Sequence, residues 1–118
     1  MNAEDIRHYC LGKPQVSESF PFGNDTLVFK VLDKIFALVN LDGPLSINLK
    51  CNPEKALELR EHYPAVLPGY HMNKQLWNTI LPDDTLDNDL VKSWIDDSYD
   101  LVVAKLPKKE REKLWNAD

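Results

Sequence analysis

The stretch "TLVFKVLDKIFALVNLDGPLSINLK", residues 26 to 50, constrains the fold more than any other. Leu27, Phe29 and Val31 alternate with Val28 and Lys30, which is the period of a half-buried strand. Leu32-Asp33-Lys34 is a turn-length break, with Lys34 expected at the hairpin tip. "IFALV" follows and is apolar at every position, as in a strand covered on both faces or meeting a partner on its outer face. "NLDGP" is a second turn, with Asp42-Gly43 as a favoured hairpin pair. "LSINLK" then alternates again, with Leu45, Ile47 and Leu49 expected inward and Ser46, Asn48 and Lys50 outward. Three strands joined by two tight turns can pair only as an antiparallel meander.

The flanks supply helices. "NAEDIRHYCLGK" has Asn2 to cap it, acids in its first turn and Gly12 to end it, and Ile6, Tyr9 and Cys10 share a face. "VSESFPFG" contains Pro21, which restricts it to an edge strand or a loop, with Phe20 and Phe22 expected on the core. "NPEKALELREHY" opens with an Asn52 cap and Pro53 in the first helical position, and Ala56, Leu59 and Tyr63 fall on one face. "AVLPG" and "WNTIL" are strand candidates. From Leu90 to Val103, apolar residues recur at helical spacing, and Pro107 separates this long helix from a short basic one. This order of elements predicts one α+β domain, residues 1–118, built on an antiparallel sheet.

A chain of 118 residues can bury a core without staples, and its 43% hydrophobic and 28% charged content argues against disorder. The net charge of -5 argues against generic binding to phosphate backbones. The acidity is uneven, however. Residues 83–104 carry 7 acids and 1 base, residues 1–82 sum to -1, and residues 105–118 sum to +2. A local basic face remains compatible with the total. No apolar run approaches the ~20 residues that cross a bilayer, and "MNAEDIRHYC" lacks the pattern of a leader. A cytoplasmic protein with both thiols reduced and no membrane association is the expectation.

The motifs exclude more chemistry than they offer. Cys51, just before a helix N-terminus, has the position of a thiol of lowered pKa, and His71 is a possible base, but no nucleophile signature surrounds it. His8, His62, His71 and the two cysteines lack metal-ligand spacing. Four scattered glycines form no phosphate-cradling loop. Asp83, Asp84, Asp87 and Asp89 read as caps and solvated charges at the start of the long helix, and the calcium-loop pattern is absent. The expectation is no catalytic residue, no cofactor and no metal. The lysines carry the remaining signal: Lys30 and Lys50 project opposite their apolar neighbours, Lys34 stands at a turn and Lys74 in "PGYHMNKQLWNT". With Asn48, His71 and Asn78 they could form one anion-binding patch.

In "PGYHMNKQLWNT", Gly69 is read as a turn glycine and Asn73 as the cap of a single helical turn. Trp77 and Leu81 are expected in the core, with Asn78 and Ile80 alternating. His71, Asn73 and Lys74 remain as possible contacts.

"FPFG", "VFKVLDKIFALV", "INLKCNPEKALELRE", "PGYHMNKQLWNTI" and "SYDLVVAKLPKKERE", in this order, resemble the MmcQ/YjbR family over nearly the whole chain. The combination of "LKC.PE" with "PGYHMNK..WNT" is its most specific part. The resemblance implies a two-layer fold with a curved antiparallel sheet and helices mainly on one face, similar to CyaY-like and secretion-chaperone-like folds. It implies a cytoplasmic protein with no cofactor and no enzymatic activity, and DNA binding through a double-wing arrangement. Where the family pattern often has a glycine in the first hairpin, this chain has Leu32-Asp33-Lys34. For DNA the expected contacts are Lys30, Lys34, Lys50, His71, Asn73 and Lys74. The alternative is an adaptor that binds another protein, a peptide or a second copy of itself through its sheet face, with Trp115 as an exposed aromatic. No small-molecule substrate is implied.

Overall fold

In the computed structural model, residues 1–70 and 72–115 are described. Helix α1 (Ala3–Leu11) opens on a reciprocal cap, in which the Asn2 and Asp5 side chains each accept the other's backbone N–H. Strands β1 (Val16–Ser19), β2 (Thr26–Val31), β3 (Lys34–Asn40) and β4 (Ser46–Lys50) follow. Helix α2 (Pro53–His62) leads to β5 (Val66–Pro68) and β6 (Trp77–Ile80), and helices α3 (Asn88–Ala104) and α4 (Lys108–Trp115) complete the chain. The α2 and α3 caps are Asn52 and Asp87, whose side chains accept the backbone N–H of Glu54 and Asp89.

The expected meander is present and larger. The strands pair in the order β1-β2-β3-β4-β6-β5, every pair antiparallel. One face of this open sheet presents Leu27, Phe29, Ala37, Val39, Ile47, Leu49 and Ile80, all buried, to the helices. Ile6 and Cys10 of α1 and Val91, Trp94, Ile95 and Val102 of α3 close the same core. Helix α1 is also tied to this face by an Arg7–Glu18 ion pair (2.9 Å), and α3 by a Phe36–Tyr99 edge contact (5.4 Å between ring centres). The α+β class, the antiparallel sheet and the one-sided helix layer are as the sequence predicts.

Three local expectations fail. Phe20 and Phe22 are 48% and 66% exposed rather than in the core, because β1 ends at Ser19 and both lie in the turn that follows, closed by Gly23 N–H to the Phe20 carbonyl. Asn78 is not on the outer face. It is buried on the helix side, where its Oδ1 accepts from Arg60 Nε (2.7 Å) and its amide donates to the Ala56 carbonyl (3.3 Å). Trp77 therefore takes the opposite face, across from Lys50, and is only half-buried. A polar residue can occupy a core position once both its polar atoms are bonded, and here that inverts the expected register.

A bulge also interrupts the sheet. Phe29 pairs with Ala37 and Lys30 with Ile35, which leaves Phe36 with no partner on β2. Both Phe36 and Ala37 are fully buried as a result. On the other side, the last β3–β4 pair is Ala37 with Leu49. Ser98 of α3, fully buried, fills the opening: the Lys50 N–H donates to its Oγ (2.8 Å) and its hydroxyl donates to the Phe36 carbonyl (2.5 Å).

Candidate nucleic-acid interface

One end of the sheet gathers two loops and a strand terminus. The register places the β2–β3 turn, the last residue of β4 and the start of β6 together, because Val31 pairs with Lys34 and Lys50 with Trp77. The β3–β4 connection lies at the other end. In the strand order, the β2–β3 and β5–β6 loops are three strand spacings apart, about 14 Å.

The first loop turns on Leu32 (φ 46°) and Asp33 (φ 70°). Two consecutive left-handed residues match the sheet's twist in a two-residue hairpin, a geometry that glycine or asparagine adopts more cheaply. Lys34 is the first residue of β3 rather than the tip. The second loop spans residues 69–76. Asn73 does initiate a single helical turn: its side chain accepts from Gln75 N–H (2.9 Å), and its carbonyl accepts from Leu76 (3.1 Å) and Trp77 (2.9 Å). Gly69 does not have the expected left-handed conformation. It is there because a Cβ would come within 2.8 Å of both the Cβ and the carbonyl oxygen of Trp77, so only glycine permits the close crossing of this loop over β6. The loop is braced by Cys51 N–H to the Leu76 carbonyl (2.7 Å) and by Arg60, whose guanidinium bonds both Asn78 and the Lys74 carbonyl.

A cleft of about 710 Å³ opens between the first turn and the α3–α4 junction. Lys34, Lys50 and Lys105 line it, over an apolar floor that includes Ile35 and Leu106. Burial, reinforced by the neighbouring Lys105 ammonium, pushes the Lys50 amine below its ordinary pKa. Lys30 projects on the helix-free face, cross-strand from Ile35, and is half-buried. Lys74 is exposed on the second loop. His71 lies outside the described residues, as does the side chain of Trp115. So Lys34 and Lys50 are brought into one cleft, while Lys30 and Lys74 flank it without lining it. Among the described residues, Lys30, Lys34, Lys50, Lys74 and Lys105 form no ion pair.

Sequence reasoning missed Lys105. Its signal was the Leu106-Pro107 break, which puts a lysine at the C-terminal end of a long helix. That helix also separates charge. Asp83, Asp84, Asp87 and Asp89 lie around its N-terminus, and 17 residues of α-helix span about 25 Å.

The remaining candidates carry less. Burial raises the Cys51 thiol, overriding the helix N-terminus that was expected to lower it, and pushes Cys10 to about 12. The aspartates before α3 are occupied in turns and caps, Asp83 accepting from Thr85 (2.9 Å) and Asp87 from Asp89 (3.0 Å). No group of residues fit to hold a metal ion occurs among the described residues. Among the described residues no helix is long and apolar enough to cross a membrane.

Fold and site together define a small α+β domain with an open antiparallel sheet, helices on one face and unpaired lysines gathered at one end. The YjbR family model matches residues 11–101, and the chain belongs to that family. It is 38% identical over 112 residues to the uncharacterized protein YbdF of Escherichia coli O157:H7, covering 94% of this chain and 92% of that one. It is 31% identical over 115 residues to the uncharacterized protein YjbR of Escherichia coli K12, covering 97% and 98%. Among solved structures it is similar to a Deinococcus radiodurans protein with a DUF419 domain (TM-score 0.89, 40% identity, 96% of this chain and 87% of that one). It is also similar to a Pseudomonas syringae protein (TM-score 0.76, 31% identity, 86% and 98%). None of these relatives is named for an enzymatic activity.

Proposed function

We propose that this protein is a cytoplasmic, non-catalytic module that binds DNA with the lysine-bearing end of its sheet. The observation that carries this reading is the gathering, around two loops about 14 Å apart, of five lysines that have no carboxylate partner among the described residues. The loops act as wings. Lys34 and Lys74 engage phosphates from either side, and Lys50 and Lys105 lie between the first wing and the α3–α4 junction. Lys30 and Asn73 extend the same surface. Contacts of this kind position a protein on the backbone and carry little sequence information.

Fluorescence anisotropy with a labelled duplex tests it. Four phosphate contacts give a slope of log affinity against log salt of about -3.6, and neutralising one lysine, as Lys34→Gln or Lys74→Gln, lowers that slope by about 1. Absence of binding to both duplex and single strand at low salt overturns the proposal.

A protein-binding adaptor is the second reading, favoured by the sheet face that carries no helix. On that face Leu67 of β5 is exposed and Trp77 half-buried, while Val28 and Leu38, cross-strand from each other, are already buried. It requires self-association or a captured partner. A strict monomer in sedimentation equilibrium together with an empty pull-down excludes it.

A further inference from the structure

The lysine cleft differs from a surface that merely follows a duplex. It is concave, and about 710 Å³ is the scale of a small-ligand pocket. Lys50 is half-buried within it, where a convex double-stranded backbone reaches poorly. Its two carboxylates do not cancel the lysines. Glu110 is held by Lys113 (3.2 Å), which leaves Asp33 at the turn as the one unpaired acid of the lining. Beside the ammonium groups lie Ile35, Val102, Leu106 and Pro107, an apolar strip suited to a base or sugar face. Helix α4 starts at the same wall. The Pro107 carbonyl accepts from Glu110 (2.9 Å) and Arg111 (3.0 Å), so the N–H groups of Lys108 and Lys109 have no partner within the helix.

We propose that this cleft binds a terminal phosphate monoester attached to a nucleoside, an inference that rests on the nucleic-acid reading above and names its preferred ligand. A phosphodiester carries one negative charge, whereas a monoester carries about 1.5 to 2 at neutral pH. Three lysines lining one cleft discriminate in favour of the second. Lys50 and Lys105 lie close enough to repel each other, and a dianion between them relieves that repulsion. The monoester can belong to a free mononucleotide or to the 5′ end of a strand.

The experiment compares one labelled single-stranded oligonucleotide bearing a 5′-phosphate with the same oligonucleotide bearing a 5′-hydroxyl. A nucleoside 5′-monophosphate is titrated separately by NMR. The expected result is binding at least about tenfold tighter for the phosphorylated strand, with that preference lost in Lys50→Met and Lys105→Met. Asp33→Asn, which removes the one unpaired carboxylate of the lining and suits the left-handed turn, strengthens binding of the phosphorylated strand, a gain that loss of folding cannot produce. If only the monophosphate perturbs the cleft resonances, the ligand is the free nucleotide and the proposal holds. Equal binding of the two strands with no monophosphate binding overturns the cleft proposal and leaves the nucleic-acid reading standing. No binding by any of the three, nor by duplex, overturns both.

Discussion

Ser98→Ala removes a single oxygen and isolates two backbone groups. The Ser98 hydroxyl is the link between the Phe36 carbonyl and the Lys50 N–H just beyond the last β3–β4 pair, Ala37 with Leu49. Ser98 is fully buried, so water does not easily replace it. A typical hydrogen bond contributes about 1 kcal/mol net, but an orphaned buried donor costs about 1–3 kcal/mol, and here a donor and an acceptor are orphaned together. A loss of about 2 kcal/mol is the working value, since the carbonyl tolerates under-satisfaction better than the N–H does. With an unfolding entropy of about 2.1 cal/mol/K per residue, a chain of 118 residues has about 0.25 kcal/mol/K, so the melting temperature falls by about 8 °C. Differential scanning calorimetry measures this directly. Ser98→Cys, with a weaker donor of similar size, should fall in between. Because the same bond fixes the backbone of Lys50, the Lys50 amide should lose hydrogen-exchange protection before its β4 neighbours do. A Ser98→Ala protein melting within about 2 °C of the parent, with that amide still protected, refutes the idea that the serine closes the ladder.

Two further outcomes follow from individual contacts. Gly69→Ala forces a Cβ to within 2.8 Å of the β6 backbone, so it should cost about 1–3 kcal/mol of stability. It should also weaken DNA binding, because the displaced loop carries Lys74, and an unchanged melting temperature would show that the crossing is not tight. Tyr9 donates to Asp96 Oδ1 (2.7 Å), and this bond, with burial and the carboxylate charge, pushes its phenol up to about 12. The unfolded chain releases that proton near pH 10, so the stability the bond contributes is complete below pH 10 and is lost as the pH rises to about 12. Tyr9→Phe should therefore lower stability at pH 7 by about 1 kcal/mol, with the gap to the parent closing across that window. Parallel pH–stability curves for the two proteins in urea titrations would contradict the assignment.

Much of the fold could be read from local chemistry. The meander follows from period-two alternation interrupted at Leu32 and Asp42, and three helix starts follow from the caps at Asn2, Asn52 and Asp87. These signals lie within a few residues of what they determine. The failures involve distant partners. Asn78 reads as an outward polar residue until Arg60 and Ala56, 18 and 22 positions earlier, satisfy it. The Phe36 carbonyl at the bulge is satisfied by a serine 62 residues away. Phe20 and Phe22 read as core because they are aromatic, but the strand that would deliver them ends at Ser19 and both lie in the turn that follows.

The candidate site divides along the same line. Lys30, Lys34 and Lys50 share an end of the sheet because hairpin register forces it, whereas Lys105 joins them only because α3 crosses the sheet with its C-terminus at that end. This crossing also shows why the total charge misleads. Four of the seven acids in residues 83–104 lie around the far end of a helix about 25 Å long, beyond the screening length of about 10 Å at 0.1 M salt. Two of the other three are neutralised in place, Asp96 by Lys13 (2.5 Å) and Asp97 by Lys55 (3.0 Å). The field at the lysine end is therefore set by the lysines themselves with Asp33, Asp100, Glu112 and the Lys113-paired Glu110 among the nearby acids. A net charge of -5 describes how the whole molecule migrates in an electric field, but a phosphate approaching this end meets a different and locally positive surface.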